Sequence, residues 1–125
     1  MNTRGNNDNR IDAFNAYRTR MNVRILEGEG AHLGIKRFFN LDSNAYRDGA
    51  LTRPTKELLG LVASMVLRCD DCILYHLINV VEEGMSEEEI VEAMNVALVV
   101  GGSIVVPHLR RAYESLDELL KRRAG

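Results

Sequence analysis

The sequence predicts an all-α fold, a compact bundle of about six helices. Three observations predict it. Apolar residues recur three and four positions apart in every strongly patterned stretch. No stretch alternates apolar and polar residues as a half-buried strand would. Helix start and stop residues fall between the stripes at helix-length intervals.

The first stripe is Ile11, Phe14, Tyr17 or Arg18, Met21 and Ile25, and the acidic, glycine-rich Glu27-Gly28-Glu29-Gly30 ends it. A second helix starts near Ala31 and runs through Ile35, Phe38 and Phe39 to Leu41. Asp42-Ser43-Asn44 then opens a separate short turn of helix carrying Ala45 and Tyr46, which Gly49 closes. Thr52 is a good N-cap for the third helix, and Pro54 falls in its first turn, where the missing N–H costs little. That helix buries Leu58, Leu59, Val62, Met65 and Val66 on a three-and-four spacing. The fourth begins near Cys69 or Asp70 and stops at Gly84, a natural residue for the position after a helix C-cap. Ser86 and Glu89 have the spacing of a capping box for the fifth, whose buried stripe is Ile90, Met94, Ala97, Leu98 and Gly101. The last begins at or after Ser103, with Pro107 near its first turn. Its apolar face is Leu109, Ala112, Tyr113, Leu116, Leu119 and Leu120.

Length and composition bound the rest. A chain of 125 residues, 46% hydrophobic and 27% charged, reads as one globular domain over 1–125. Its polar first nine residues are expected to form a flexible tail without the apolar region of a secretory signal. The longest apolar run, Val96 to Val106, is interrupted by Gly101, Gly102 and Ser103, so no membrane partner is expected. A net charge of −2 without a basic face argues against nucleic acid. Lys121-Arg122-Arg123 ends a helix, where cations offset the dipole. Two cysteines and no secretion signal point to a reducing compartment, the cytoplasm. There a close pair serves catalysis or metal binding rather than structural stapling.

The pair is Cys69-Asp70-Asp71-Cys72, with His76 four residues on. Two residues between the sulfurs allow a disulfide with little chain movement. His76 at i+4 lies on the helical face of Cys72. If the chain reverses between Val66 and Leu67, residue 57 stands opposite residue 76, because both lie equally far from that midpoint. Glu57 then orients His76, His76 exchanges a proton with Cys72, and Cys72 exchanges with Cys69. This is the nucleophile, base and orienter arrangement of thiol enzymes. Cys72 is the proton-coupled thiol in this reading, and Cys69 the partner exposed nearer the turn.

Glu57, eleven intervening residues, Cys69-x-x-Cys72 and three residues to His76 resemble the alkylhydroperoxidase D core of the carboxymuconolactone decarboxylase-like superfamily. The Leu51-Thr52 lead-in to Glu57-Leu58-Leu59, the Gly84-Met85-Ser86-x-Glu88-Glu89-Ile90 segment and Gly101-Gly102-Ser103 fit the same pattern. The resemblance implies an all-helical subunit in a homotrimer or homohexamer. It also implies a disulfide oxidoreductase that reduces peroxides directly or serves a peroxiredoxin in antioxidant defence. Its substrate would be a hydroperoxide or disulfide, and its reductant a thiol or a lipoyl-type protein. No cofactor or resident metal is implied. Glu57, Cys69, Cys72 and His76 take the catalytic positions.

One departure concerns the residues between the cysteines. The best-known relay version has a histidine just before the second cysteine, where this chain has Asp71. Beside a thiol, Asp70 and Asp71 oppose ionisation, while the helix N-terminus, Arg68 and a protonated His76 favour it. Only a modest lowering of the thiol pKa is expected. Moving a thiol from about 8.5 to about 7 raises the thiolate fraction at pH 7 roughly fifteen-fold. Nucleophilicity falls about five-fold over the same shift, so the net gain is about three. A positioned base supplies roughly 10² to 10⁴. Relay geometry therefore outweighs bulk thiol acidity.

Other readings stay open at this point. A zinc site could draw on Cys69, Cys72, His76 and His108, although no spacing ties His108 to the others. A decarboxylase acting on a small lactone acid has no evident need for the CxxC. A non-catalytic helical oligomer is the third. His108, beside Pro107, reads as a helix-start or subunit-contact residue.

Overall fold

The computed structural model describes residues 3–125, and their side chains from Arg10 onward. Six α-helices follow one another: α1 Thr3–Leu26, α2 Leu33–Ala45, α3 Arg53–Val66, α4 Asp70–Glu82, α5 Glu87–Gly101 and α6 Val106–Ala124. A single 3₁₀ turn, Ser103–Val105, joins the last two. Among the described residues there is no strand, as the absence of alternating stretches requires. The chain divides into two compact units, Met1–Arg47 and Asp48–Gly125.

In the first unit, the backbone of α1 is helical from Thr3, within the segment expected to be a flexible tail. Once the stripe beginning at Ile11 nucleates a helix, each preceding residue adds one hydrogen bond at no further nucleation cost. The remainder of that tail, Met1 and Asn2, lies outside the described residues. Helix α2 also corrects the sequence reading. It runs unbroken from Leu33 to Ala45, so Asp42-Ser43-Asn44 starts no new element. The i to i−4 ladder outcompetes their short side chains. The start is as the sequence places it, near Ala31: His32 is the N-cap, and its Nδ1 accepts from Gly34 N at 3.0 Å.

In the second unit α3 packs against both α4 and α5, and α4 packs against α6. Leu61, Met65, Leu77, Val80, Ile90, Ala97, Val105 and Leu116 are fully buried between them. The caps are those the sequence signals. Thr52 Oγ1 accepts from Thr55 N, and Ser86 and Glu89 close a reciprocal capping box at 3.1 and 2.8 Å. The inward face of α3 is the exception. It is Glu57, Leu61, Ser64 and Met65, while Leu59 is 55% exposed. Two neighbouring stripes of α3 both have helical spacing, and the inner one carries a carboxylate and a hydroxyl that disguise it. Buried Ser115 and Glu118 similarly widen the inner face of α6 beyond Ala112, Leu116 and Leu119. At Gly101 a Cβ would meet Val105 Cγ2 and lie 3.8 Å from the Val66 Cα, so this glycine permits close packing at the end of α5.

Helices α3 and α4 end in the same way. After α3, Arg68 N donates to Met65 O and Cys69 N to Ser64 O, both at 3.0 Å. After α4, Gly84 N donates to Val81 O and Met85 N to Val80 O. Each is a Schellman closure, which requires a left-handed residue after the C-cap. Gly84 provides it at φ +83°, as its sequence position suggests. Arg68 provides it at φ +61°, the one non-glycine residue of positive φ among those described. Left-handed backbone costs a residue with a Cβ roughly 1–2 kcal/mol. Arg68→Gly is therefore expected to stabilise the protein by about 0.5–1 kcal/mol, after the extra unfolded-state freedom of glycine is subtracted. Urea unfolding with an unchanged m-value reads this as a higher midpoint. A lower midpoint would mean that the arginine side chain contributes more than the strain costs.

Candidate functional site

The turn that closes α3 also seats the cysteine pair. Cys69 is the second residue after the C-cap of α3 and at the same time the N-cap of α4. Its Sγ accepts from Cys72 N at 3.3 Å, the role an oxygen usually fills at this position. Asp70 and Asp71 occupy the first turn, where negative charge suits the helix dipole. The two sulfurs form a disulfide, with the Cα atoms 5.2 Å apart. Exposure reverses the expected order. Cys69 is half-buried and Cys72 exposed, because the cap position turns the first sulfur toward the helix end while the second projects from the first turn.

Glu57 and His76 meet as the hairpin midpoint requires. Glu57 Oε1 lies 2.8 Å from His76 Nδ1, with Glu57 1% and His76 8% exposed. A carboxylate only accepts, so Nδ1 carries the proton and Nε2 is the basic nitrogen of the ring. His76 stands one helical turn from Cys72, which gives neighbouring side chains at i and i+4. Tyr75 packs edge-on against the imidazole, ring centroids 5.1 Å apart.

Two residues that hold this dyad do not figure among the expected site residues. Asn79 Nδ2 donates to Glu57 Oε1 at 3.2 Å, and Arg53 Nη2 lies 3.5 Å from Glu57 Oε2. A buried carboxylate is costly without partners, and these two supply them. Arg53 also pairs with Glu83 at 3.0 Å, and its backbone N donates to Asp48 Oδ1 at 2.6 Å. Both had a local signal: Asn79 is three residues after His76 and Arg53 four before Glu57, each on the same helical face.

His108 sits at the start of α6, as expected, but bonds to the CxxC segment. Its Nδ1 lies 2.7 Å from Asp70 Oδ1, and Arg111 Nη1 lies 3.2 Å from Asp70 Oδ2. Among the described residues no three His, Cys, Asp or Glu side chains are arranged to hold a metal ion. Nor is any described helix long and apolar enough to cross a membrane.

Comparison with known proteins agrees with this geometry. The carboxymuconolactone decarboxylase family model matches residues 35–115. A crystal structure of a family member from Thermotoga maritima, for which involvement in antioxidative response has been suggested, is 57% identical. It superposes with a TM-score of 0.84 over 90% of this chain and 93% of that one. An apo family member from Legionella pneumophila is 25% identical, with a TM-score of 0.74 over 90% of this chain and 96% of its own. Uncharacterized protein 4 in the cox locus of Paracoccus denitrificans is 33% identical over 82 residues, 66% of this chain and 74% of that protein. The family suggested by the Glu57, Cys69, Cys72 and His76 spacing is thus the one found, and the chain belongs to the carboxymuconolactone decarboxylase family.

Proposed function

We propose that this protein is a thiol-disulfide oxidoreductase that reduces hydroperoxides directly or regenerates a peroxiredoxin. The observation that carries the reading is the buried Glu57–His76 pair at 2.8 Å, one helical turn from a closed CxxC. A structural disulfide has no use for an imidazole oriented by a buried carboxylate, whereas thiol chemistry needs a proton carrier at each exchange. The antioxidative role suggested for the Thermotoga relative supports the same reading.

In the reduced enzyme a Cys thiol gives its proton to the imidazole, and the thiolate attacks a peroxide oxygen. An S–O bond forms, the O–O bond breaks, and the leaving oxygen takes the proton as alcohol. The second thiol then attacks the sulfenic sulfur; the S–S bond forms and water leaves. One hydroperoxide and two thiols thus become one alcohol, one water and the disulfide. Cys72, exposed and one helical turn before His76, opens this sequence, and Cys69 resolves it. A thiol reductant or a lipoyl-type dithiol returns two electrons and two protons, as cytoplasmic conditions allow. Exposed Leu67, Val99, Val100 and Ile104 are apolar surface that self-association would cover, and a homotrimer or homohexamer is the assembly that the family resemblance implies.

The test uses the wild-type protein. Reduced protein should lose its two thiols on adding hydroperoxide, consuming one equivalent, and a dithiol should restore both. A pair that never oxidises reversibly would overturn the proposal. So would turnover of carboxymuconolactone that persists after both cysteines are blocked, which would favour the decarboxylase.

A further inference from the structure

The CxxC is flanked by two carboxylate–imidazole pairs built alike. At the inner one, Glu57 takes His76 Nδ1 on one oxygen and faces Arg53 with the other, at 2.8 and 3.5 Å. At the outer one, Asp70 takes His108 Nδ1 on one oxygen and Arg111 on the other, at 2.7 and 3.2 Å. His76 follows Cys72 by one helical turn, and Asp70 follows Cys69 directly. Each cysteine is thus linked along the chain to an imidazole, Cys72 through His76 four residues on and Cys69 through the adjacent Asp70, and each imidazole is oriented through Nδ1 by a carboxylate that also faces an arginine.

We propose that Asp70 and His108 form a second proton relay, which serves Cys69 as Glu57 and His76 serve Cys72. The inference rests on the thiol-disulfide reading and adds to it a residue from α6. Asp70 orients the ring, so Nδ1 carries the proton and Nε2 is the basic nitrogen of His108. When the Cys69 thiol resolves the intermediate, its proton passes by way of His108 Nε2 to the departing hydroxyl, which leaves as water. When a reductant thiol opens the disulfide, His108 Nε2 takes the reductant's proton and gives it to the departing Cys69 sulfur. Asp70 and Arg111 are positioning residues in this scheme.

The arrangement also removes a difficulty in the sequence. Asp70 beside a thiol would oppose its ionisation. Here both its oxygens are engaged by donors from α6, which turn its charge to holding an imidazole. The other charged groups at this end of α4 are Arg68 before Cys69 and Asp71 after Asp70, which are of opposite sign. The His108 side chain is 18% exposed and that of Asp70 43%, so the outer relay is open to solvent while the inner is closed. A proton can thus exchange with bulk water at Cys69 without unsealing Glu57.

The test separates the sulfurs. Cys72→Ser leaves only Cys69 and Cys69→Ser only Cys72, and each is alkylated with iodoacetamide at neutral pH and followed by mass spectrometry. His108→Gln is expected to slow alkylation of Cys69 about five-fold and that of Cys72 less than about two-fold, because reactivity follows the thiolate fraction. His76→Gln should do the reverse. Arg111→Gln, which leaves the imidazole in place, should slow Cys69 by about two-fold and provides the reading if His108→Gln does not fold. Equal slowing of both sulfurs by His108→Gln, or slowing of neither, would overturn the second relay. These rates need no hydroperoxide, so a wild-type protein inert to hydroperoxide but showing this pattern would overturn the peroxidase reading alone.

Discussion

Replacing Cys72 with serine is expected to lower thiol-dependent hydroperoxide consumption by more than about 10³-fold, with Cys69→Ser nearly as severe under turnover. The two losses differ in kind. Without Cys72 the exposed nucleophile beside His76 is gone, and a hydroxyl with no comparable acidity stands in its place. Without Cys69 the first oxidation still proceeds once, and the protein stops as a sulfenic acid that no neighbouring thiol resolves. A single-turnover experiment distinguishes them: Cys69→Ser should consume about one equivalent of hydroperoxide before stalling, and Cys72→Ser none on that timescale. Wild-type rates in both variants would show that the pair takes no part in the chemistry.

The second large effect belongs to Glu57. Glu57→Gln keeps size and an accepting oxygen but loses the charge that stabilises an imidazolium and faces Arg53 at 3.5 Å. The amide can also present N–H₂ to His76 Nδ1, which would select the tautomer that protonates Nε2. Either consequence weakens the base at Nε2, and a positioned base contributes roughly 10² to 10⁴. A fall in turnover of about 10²-fold is expected, with Cys69 and Cys72 still forming their disulfide. Stability should fall far less, by about 1–2 kcal/mol, since the hydrogen bonds are rearranged and not abolished. Steady-state kinetics with thermal unfolding on the same preparation checks both. A collapse of stability with unchanged turnover per folded molecule would make the pair structural.

The inner dyad was legible in the sequence because it follows from arithmetic on a hairpin. A turn centred near residues 66 and 67 sets 57 against 76, and His76 reads its place beside Cys72 from helix periodicity alone. Helices, caps and the C-terminal Gly84 were legible for the same reason: their rules act within four or five residues. The α3 face was misread because hydrophobic spacing cannot detect a stripe whose members include a buried carboxylate and hydroxyl. The break at Asp42 was misread because turn-forming side chains weigh less than a helix already under way. The contact of His108 with Asp70 spans 38 residues and depends on how α6 packs across α4. No local rule gives that register.

Cys69 both completes the closure of α3 and caps α4. A bridge between residues three apart closes about the shortest loop a disulfide can close, so it restrains the unfolded chain by only about 2 kcal/mol. The backbone that seats it is already fixed by the bonds of Arg68 and Cys69 to α3. Opening the bridge therefore leaves the scaffold standing: the disulfide and dithiol forms share one set of helices, with no unfolding or refolding between them.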